Sequence, residues 1–158
     1  MKISKDKVKI VSYKTKYKND FKKLSYEWLT KYNLFEKEDE IILNNPEKVI
    51  LDKGGYIFFA KYKNEIVGTI SLIPEDNNIF EIAKLAVTEK YQNNGIAKIL
   101  IDKALKTAKN EEIEKIILYS NSKLNKAYKL YKNYGFKDMK IDKNKYETAD
   151  IKMELNLN

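Results

Sequence analysis

The chemistry in this chain gathers where an apolar run hands over to a polar, glycine-bearing loop. Residues 80–97 read FEIAKLAVTEKYQNNGIA, and the loop Gln92-Asn93-Asn94-Gly95-Ile96-Ala97, followed by Lys98, stands at the head of an amphipathic stretch. A strand that delivers its end to a helix N-terminus leaves the amides of the first turn without intrahelical partners. Those donors, aided by the helix dipole, bind anions. The amides of residues 93–98 therefore read as a phosphate seat for a nucleotide-type ligand. Gly95 suits that seat because a side chain would keep the backbone from closing on the phosphates, and the small Ala97 serves the same end.

Composition narrows the remaining chemistry. The chain has no Cys and no His, so there is no thiolate nucleophile, no zinc ribbon and no imidazole base, and no metal site is expected. An acyl-enzyme route has no obvious activated nucleophile either. All 31 basic residues are Lys, and against 23 acids they give a net charge of +8. They are scattered from end to end beside sixteen Asn, without a basic tract or an aromatic stacking motif. No nucleic acid is expected as a partner, and a phosphate-bearing small molecule fits better. No apolar run approaches the ~20 residues of a membrane helix, and the opening MKISKDKVKI lacks the apolar block of a secretory signal. The expected location is cytoplasmic, with no membrane partner. At 158 residues, positions 1–158 read as one domain with a single core.

The elements that must position the loop follow from periodicity. Residues 8–13 alternate as a first strand, and Tyr17, Phe21, Leu24 and Trp28 fall on one helical face. A second helical piece is expected over 38–44, with Pro46 opening a short turn. Residues 56–61 and 66–74 are β-branched, aromatic and apolar around a polar turn at 63–65, which predicts an antiparallel hairpin, and 79–87 adds a third strand. The helix after Gly95 carries Ile96, Ile99, Leu100, Ala104, Leu105 and Ala108 on one side. A short strand over 114–120 leads to a helix with Leu124, Ala127, Tyr128 and Tyr131 on one stripe, ended by Gly135. Strands over 136–141 and 150–155 complete an order of βααβββαβαββ. This is an α/β fold with a mixed, mostly antiparallel twisted sheet flanked by helices.

Three features in fixed order now resemble one family, the Gcn5-related N-acetyltransferases (GNAT). The loop from Gln92 to Ala97 resembles that family's acyl-CoA pyrophosphate loop, Q/R-x-x-G-x-G/A. The segment Ala127-Tyr128-Lys129-Leu130-Tyr131 through Gly135-Phe136 is similar to its A-x-x-L-Y-x-x-x-G-F element. The strand Glu81-Ile82-Ala83-Lys84-Leu85-Ala86-Val87 resembles the one leading into the loop. Together these span about a third of the chain. Singly, each also has a plainer reading: a connecting loop, a core tyrosine, a solvated edge carboxylate.

The resemblance implies an N-acetyltransferase that moves an acetyl group from acetyl-CoA to a primary amine by direct attack in a ternary complex. The alternative on the same fold is a non-catalytic acyl-CoA-binding or sensing domain. It implies that backbone groups of Leu85, Ala86 and Val87 pair with the pantetheine arm, Val87 facing the thioester carbonyl, and that Tyr131 protonates the departing thiolate. Glu81 is the candidate base, on the strand where the histone acetyltransferase branch carries its glutamate. Many relatives place an Asn three residues before the Ala of the second motif. Here that position is Leu124, and Asn121 or Asn125 is left to contact the pantetheine. The acidic group Glu36, Glu38, Asp39 and Glu40 reads either as an attractor for a cationic substrate or as a solvated helix start. A homodimer through the last strands is possible in this family. The acceptor, a small-molecule or peptide amine, stays open.

Overall fold

The structure is a computed structural model that describes residues 2–141 and 145–158. Its frame is a seven-stranded sheet in the order β1-β2-β3-β4-β5-β7-β6. The strands are β1 (Lys9–Ser12), β2 (Tyr56–Tyr62), β3 (Glu65–Pro74), β4 (Ile79–Val87), β5 (Lys115–Ser120), β6 (Lys137–Met139) and β7 (Ile151–Asn156). Every neighbouring pair is antiparallel except β4 and β5. The helices are α1 (Lys18–Lys31), α2 (Lys37–Asn44), α3 (Pro46–Val49), α4 (Ile96–Asn110) and α5 (Asn125–Asn133). The mixed sheet and the order of its strands along the chain are those expected from the sequence, and the helices follow the expected order except that the short turn at Pro46 forms the four-residue helix α3. The one marked difference is β6, shortened to three exposed residues at the sheet edge.

Alternation along β2 shows how one sheet serves two cores. Ile57 and Phe59 point to the side of α1 and α2, where they meet Tyr17, Phe21, Leu29, Ile42 and Leu43. Phe58, Ala60 and Tyr62 point the other way, into a cluster with Ile96, Leu100, Ala104 and Ala108 of α4 and with Tyr131 and Phe136. The β2–β3 turn is made by Lys63 and Asn64, both at positive φ (49° and 63°), as in a two-residue hairpin whose twist matches its strands.

Two irregularities in β4 matter most. Its antiparallel register with β3 slips after Thr69↔Ala86 to Ser71↔Ala83, an extra residue in β4, and Lys84 sits in that bulge at φ 57°. On its other edge β4 pairs with β5 only at Ile79↔Lys115, Phe80↔Ile116 and Glu81↔Ile117. Beyond Glu81 the two strands part, β4 staying with β3 while β5 continues along β7 to Ser120↔Ile151. A parallel sheet interrupted this way leaves a cleft at the C-terminal ends of its strands, where open α/β sheets bind ligands.

Candidate active site

A groove of about 520 Å³ occupies the gap where β4 and β5 part. One wall is the freed half of β4, with Leu85, Ala86 and Val87. The floor at one end is the loop Gln92, Asn93, Gly95, Ile96, Ala97 and Lys98, and the opposite wall is α5 with Asn125, Ala127 and Tyr131.

The loop is built to hold its amides in place. Gly95 is the residue before α4 and has φ 79°, the left-handed region that costs a residue with a Cβ. Asn94 does not face the groove. Its amide nitrogen donates to the carbonyls of Tyr91 and Gln92 at 3.1 and 3.0 Å, and its oxygen accepts from the Ile3 amide at 3.0 Å. Gln92 Nε2 donates to the Val87 carbonyl at 3.0 Å, tying the loop back to the strand end. Asn93 accepts from Lys126 Nζ of α5 at 3.1 Å, a bridge across the groove. The first turn of α4 carries no acidic residue, so nothing there offsets the positive end of its dipole.

Tyr131 is buried, its ring edge-on to Phe136 with centroids 5.7 Å apart. Burial pushes its phenol well above the ordinary tyrosine value, so the hydroxyl keeps its proton at any physiological pH.

Beside the groove lies a second, smaller pocket of about 60 Å³ that shares with it Trp28, Ala83, Lys84, Tyr119, Ser120 and Leu124. Glu81 lines this pocket and not the groove. Its carboxylate is buried and accepts from Lys145 Nζ at 2.8 Å and Tyr146 Oη at 2.9 Å. Burial pushes the carboxyl up, against the pull of Lys145 and the Tyr146 hydrogen bond. Burial would lower Lys145, but attraction to Glu81 and the hydrogen bond between them, with Glu75 and Glu38 adding, carry it above the ordinary lysine value. Lys84 reaches from the bulge to the Asp39 carboxylate of α2, both buried, with its ammonium 5.1 Å from the Tyr146 ring centroid. Residues 147 and 148, ahead of β7, are held by Glu36, which accepts from the amides of Glu147 and Thr148 at 2.7 and 2.9 Å and from Thr148 Oγ1 at 2.6 Å. Trp28 Nε1, on the shared wall, is buried without a hydrogen-bond partner.

The profile of the acetyltransferase (GNAT) family matches residues 20–136. This chain belongs to the GNAT family. Among its relatives is an uncharacterized N-acetyltransferase of Chlorobaculum tepidum, 26% identical over 99 residues, or 63% of this chain and 61% of that one. The match thus spans less than two thirds of the relative's own length. Among solved structures, a GNAT-family acetyltransferase of Staphylococcus aureus Mu50 superposes with a TM-score of 0.86 at 29% identity, covering 96% of this chain and 99% of that one. A GNAT acetyltransferase of Elizabethkingia anophelis, solved with acetyl-CoA bound, gives a TM-score of 0.64 at 26% identity, covering 97% and 100%.

On this GNAT frame, the residues singled out from sequence fall into three groups. Leu85, Ala86, Val87, Gln92, Asn93, Gly95, Ile96, Ala97, Lys98, Asn125 and Tyr131 all line the groove. Asn94 braces the loop from behind. Asn121 lines the smaller pocket, with its nitrogen donating to the Thr148 carbonyl at 2.6 Å and its oxygen accepting from the Lys123 amide at 2.9 Å, so both ends are engaged away from the groove. The acidic group near α2 fits neither sequence reading as a whole, because Asp39 is buried against Lys84 and Glu36 grips the later loop. Sequence reasoning gave no site role to Lys84, Lys145 or Tyr146, and read Trp28 only as part of a helical face. Only Lys84 gave a signal, as a lysine inside the apolar strand IAKLAV.

Proposed function

We propose that this GNAT chain is an acetyl-CoA-dependent N-acetyltransferase acting on a primary amine. The observation that carries the reading is the parting of β4 and β5 into a groove with the α4 N-terminus at one end and Tyr131 on its wall. The amides opening α4 hold the pyrophosphate, and Lys126, linked to Asn93, adds a cation at the rim. Leu85, Ala86 and Val87, freed from β5, have backbone groups to offer the pantetheine arm, and the Val87 amide faces the carbonyl where negative charge develops.

The amine nitrogen forms its bond to the acetyl carbon as the carbon–sulfur bond breaks. Tyr131 gives its proton to the departing sulfur and is restored from solvent. Glu81 takes the proton that the amine must lose, through water, because its carboxylate sits in the adjoining pocket. A carboxyl raised by burial is better matched to that task than a solvated one. The reading is tested by two measurements. Acetyl-CoA should raise Tm, as a ligand of the folded state does, and CoA should be released with a panel of amines. No Tm shift at saturating acetyl-CoA would sink it, whereas a shift without CoA release would leave an acyl-CoA-binding domain.

A further inference from the structure

We infer that the acceptor is a compact primary amine with an apolar body and no second positive charge. This rests on the acetyltransferase reading and concerns the pocket that adjoins the groove. At about 60 Å³, that pocket takes roughly four to six heavy atoms, at ~10–15 Å³ for each water-sized group. Its walls are largely apolar and aromatic, with Trp28, Leu29, Leu34, Tyr119 and Leu124 among them.

The decisive feature is the state of its carboxylates. A polycationic acceptor needs free anions to replace the water it loses, and desolvating an ammonium without one is costly. Among the described residues, the two carboxylates lining the pocket are Asp39 and Glu81, and each already has a lysine as its counter-ion. Asp39 is held by Lys84 and accepts from the Glu36 amide at 3.0 Å. Glu81 is held by Lys145 and Tyr146. The charges of these two carboxylates are therefore balanced by Lys84 and Lys145, and Lys84 itself lines the pocket, so a second ammonium would meet a cation there and no unpaired carboxylate on the wall. At longer range the net charge of +8 disfavours the approach of polycations. Polyamines, aminoglycosides and lysine-rich peptides are accordingly poor acceptors.

Two amines with the same carbon chain isolate the charge: butylamine and 1,4-diaminobutane. With saturating acetyl-CoA, kcat/KM from CoA release should favour butylamine by about tenfold or more. Leu124→Glu adds a third carboxylate to the half-buried shared wall and should narrow that ratio, provided its Tm shows it folded. A wild-type protein that prefers the diamine, or treats both alike, overturns the inference, as does an unchanged ratio in folded Leu124→Glu. Transfer to neither amine while acetyl-CoA still raises Tm also overturns the inference and leaves cofactor binding standing. Absence of that Tm shift removes the acetyltransferase reading itself, and the acceptor class with it.

Discussion

The ammonium of Lys84 and the carboxylate of Asp39 meet inside the protein, joining the bulge of β4 to the first turn of α2. The bulge makes this possible. An extra residue puts Lys84 at φ 57° and aims it toward α2, while Asp39 spends its other oxygen on the Glu36 amide. The pair fixes the distance between the freed strand and the helices that wall the smaller pocket.

Removing one partner strands the other charge in the interior. Asp39→Asn should lower unfolding stability by about 3–5 kcal/mol, while Asp39→Asn/Lys84→Met recovers most of the loss. Denaturant titrations of the two singles and the double give the coupling directly. A single variant within about 0.5 kcal/mol of wild type would mean that the two groups do not depend on each other.

Tyr131→Phe deletes a hydroxyl and keeps the ring packed on Phe136, so Tm and acetyl-CoA affinity should hardly change. If the phenol supplies the proton, kcat falls by about 100-fold or more. Steady-state kinetics beside a binding isotherm decide the matter, and an unaltered kcat takes Tyr131 out of the acid role.

Gly95→Val forces a β-branched residue to φ 79° and drives its Cβ into the Lys5 side chain, whose Cε lies 2.5 Å from where that atom would stand. The backbone cost is roughly 1–2 kcal/mol, and relief of the strain tilts the amides that open α4. Calorimetry should show acetyl-CoA affinity reduced by about tenfold or more. An intact dissociation constant would place the pyrophosphate elsewhere.

Glu81 carries a sign in pH. Its folded-state pKa is raised, so between the unfolded value, about 4.3, and the folded one the native state binds the extra proton. Stability contributed by this group therefore falls as pH climbs through that window and is lowest above it. In the proposed role of Glu81, activity runs the opposite way, since a base must be ionised. The ratio of kcat/KM for wild type over Glu81→Gln should rise with pH to a plateau, its midpoint above the ordinary carboxylate range. A flat ratio would remove Glu81 as the base.

Local pattern made much of this fold legible. The β-branched and apolar runs of β2, β3 and β4, the helical stripe of α4 and the loop at Gly95 are written in neighbouring residues, and they determine the groove. What stayed hidden depends on pairs far apart in the chain. Nothing near Asp39 announces Lys84, nothing near Glu81 announces Lys145 and Tyr146, and the grip of Glu36 on Thr148 spans 112 positions. Asn121 shows the same limit. Its residue type and place suited a pantetheine contact, but the loop carrying Thr148 claims its side chain.

The division of labour between the two cavities has a consequence for how such a protein diversifies. Apart from Trp28 and Tyr32, the groove is lined by one stretch, from β4 through α5, whereas the smaller pocket draws more of its walls from α1 and also from Leu34, α2 and the segment before β7. Mutations in those borrowed walls can reshape what enters without touching the seat at Gly95. Lineages descending from a common ancestor can thus inherit one donor and drift apart in the molecules they modify.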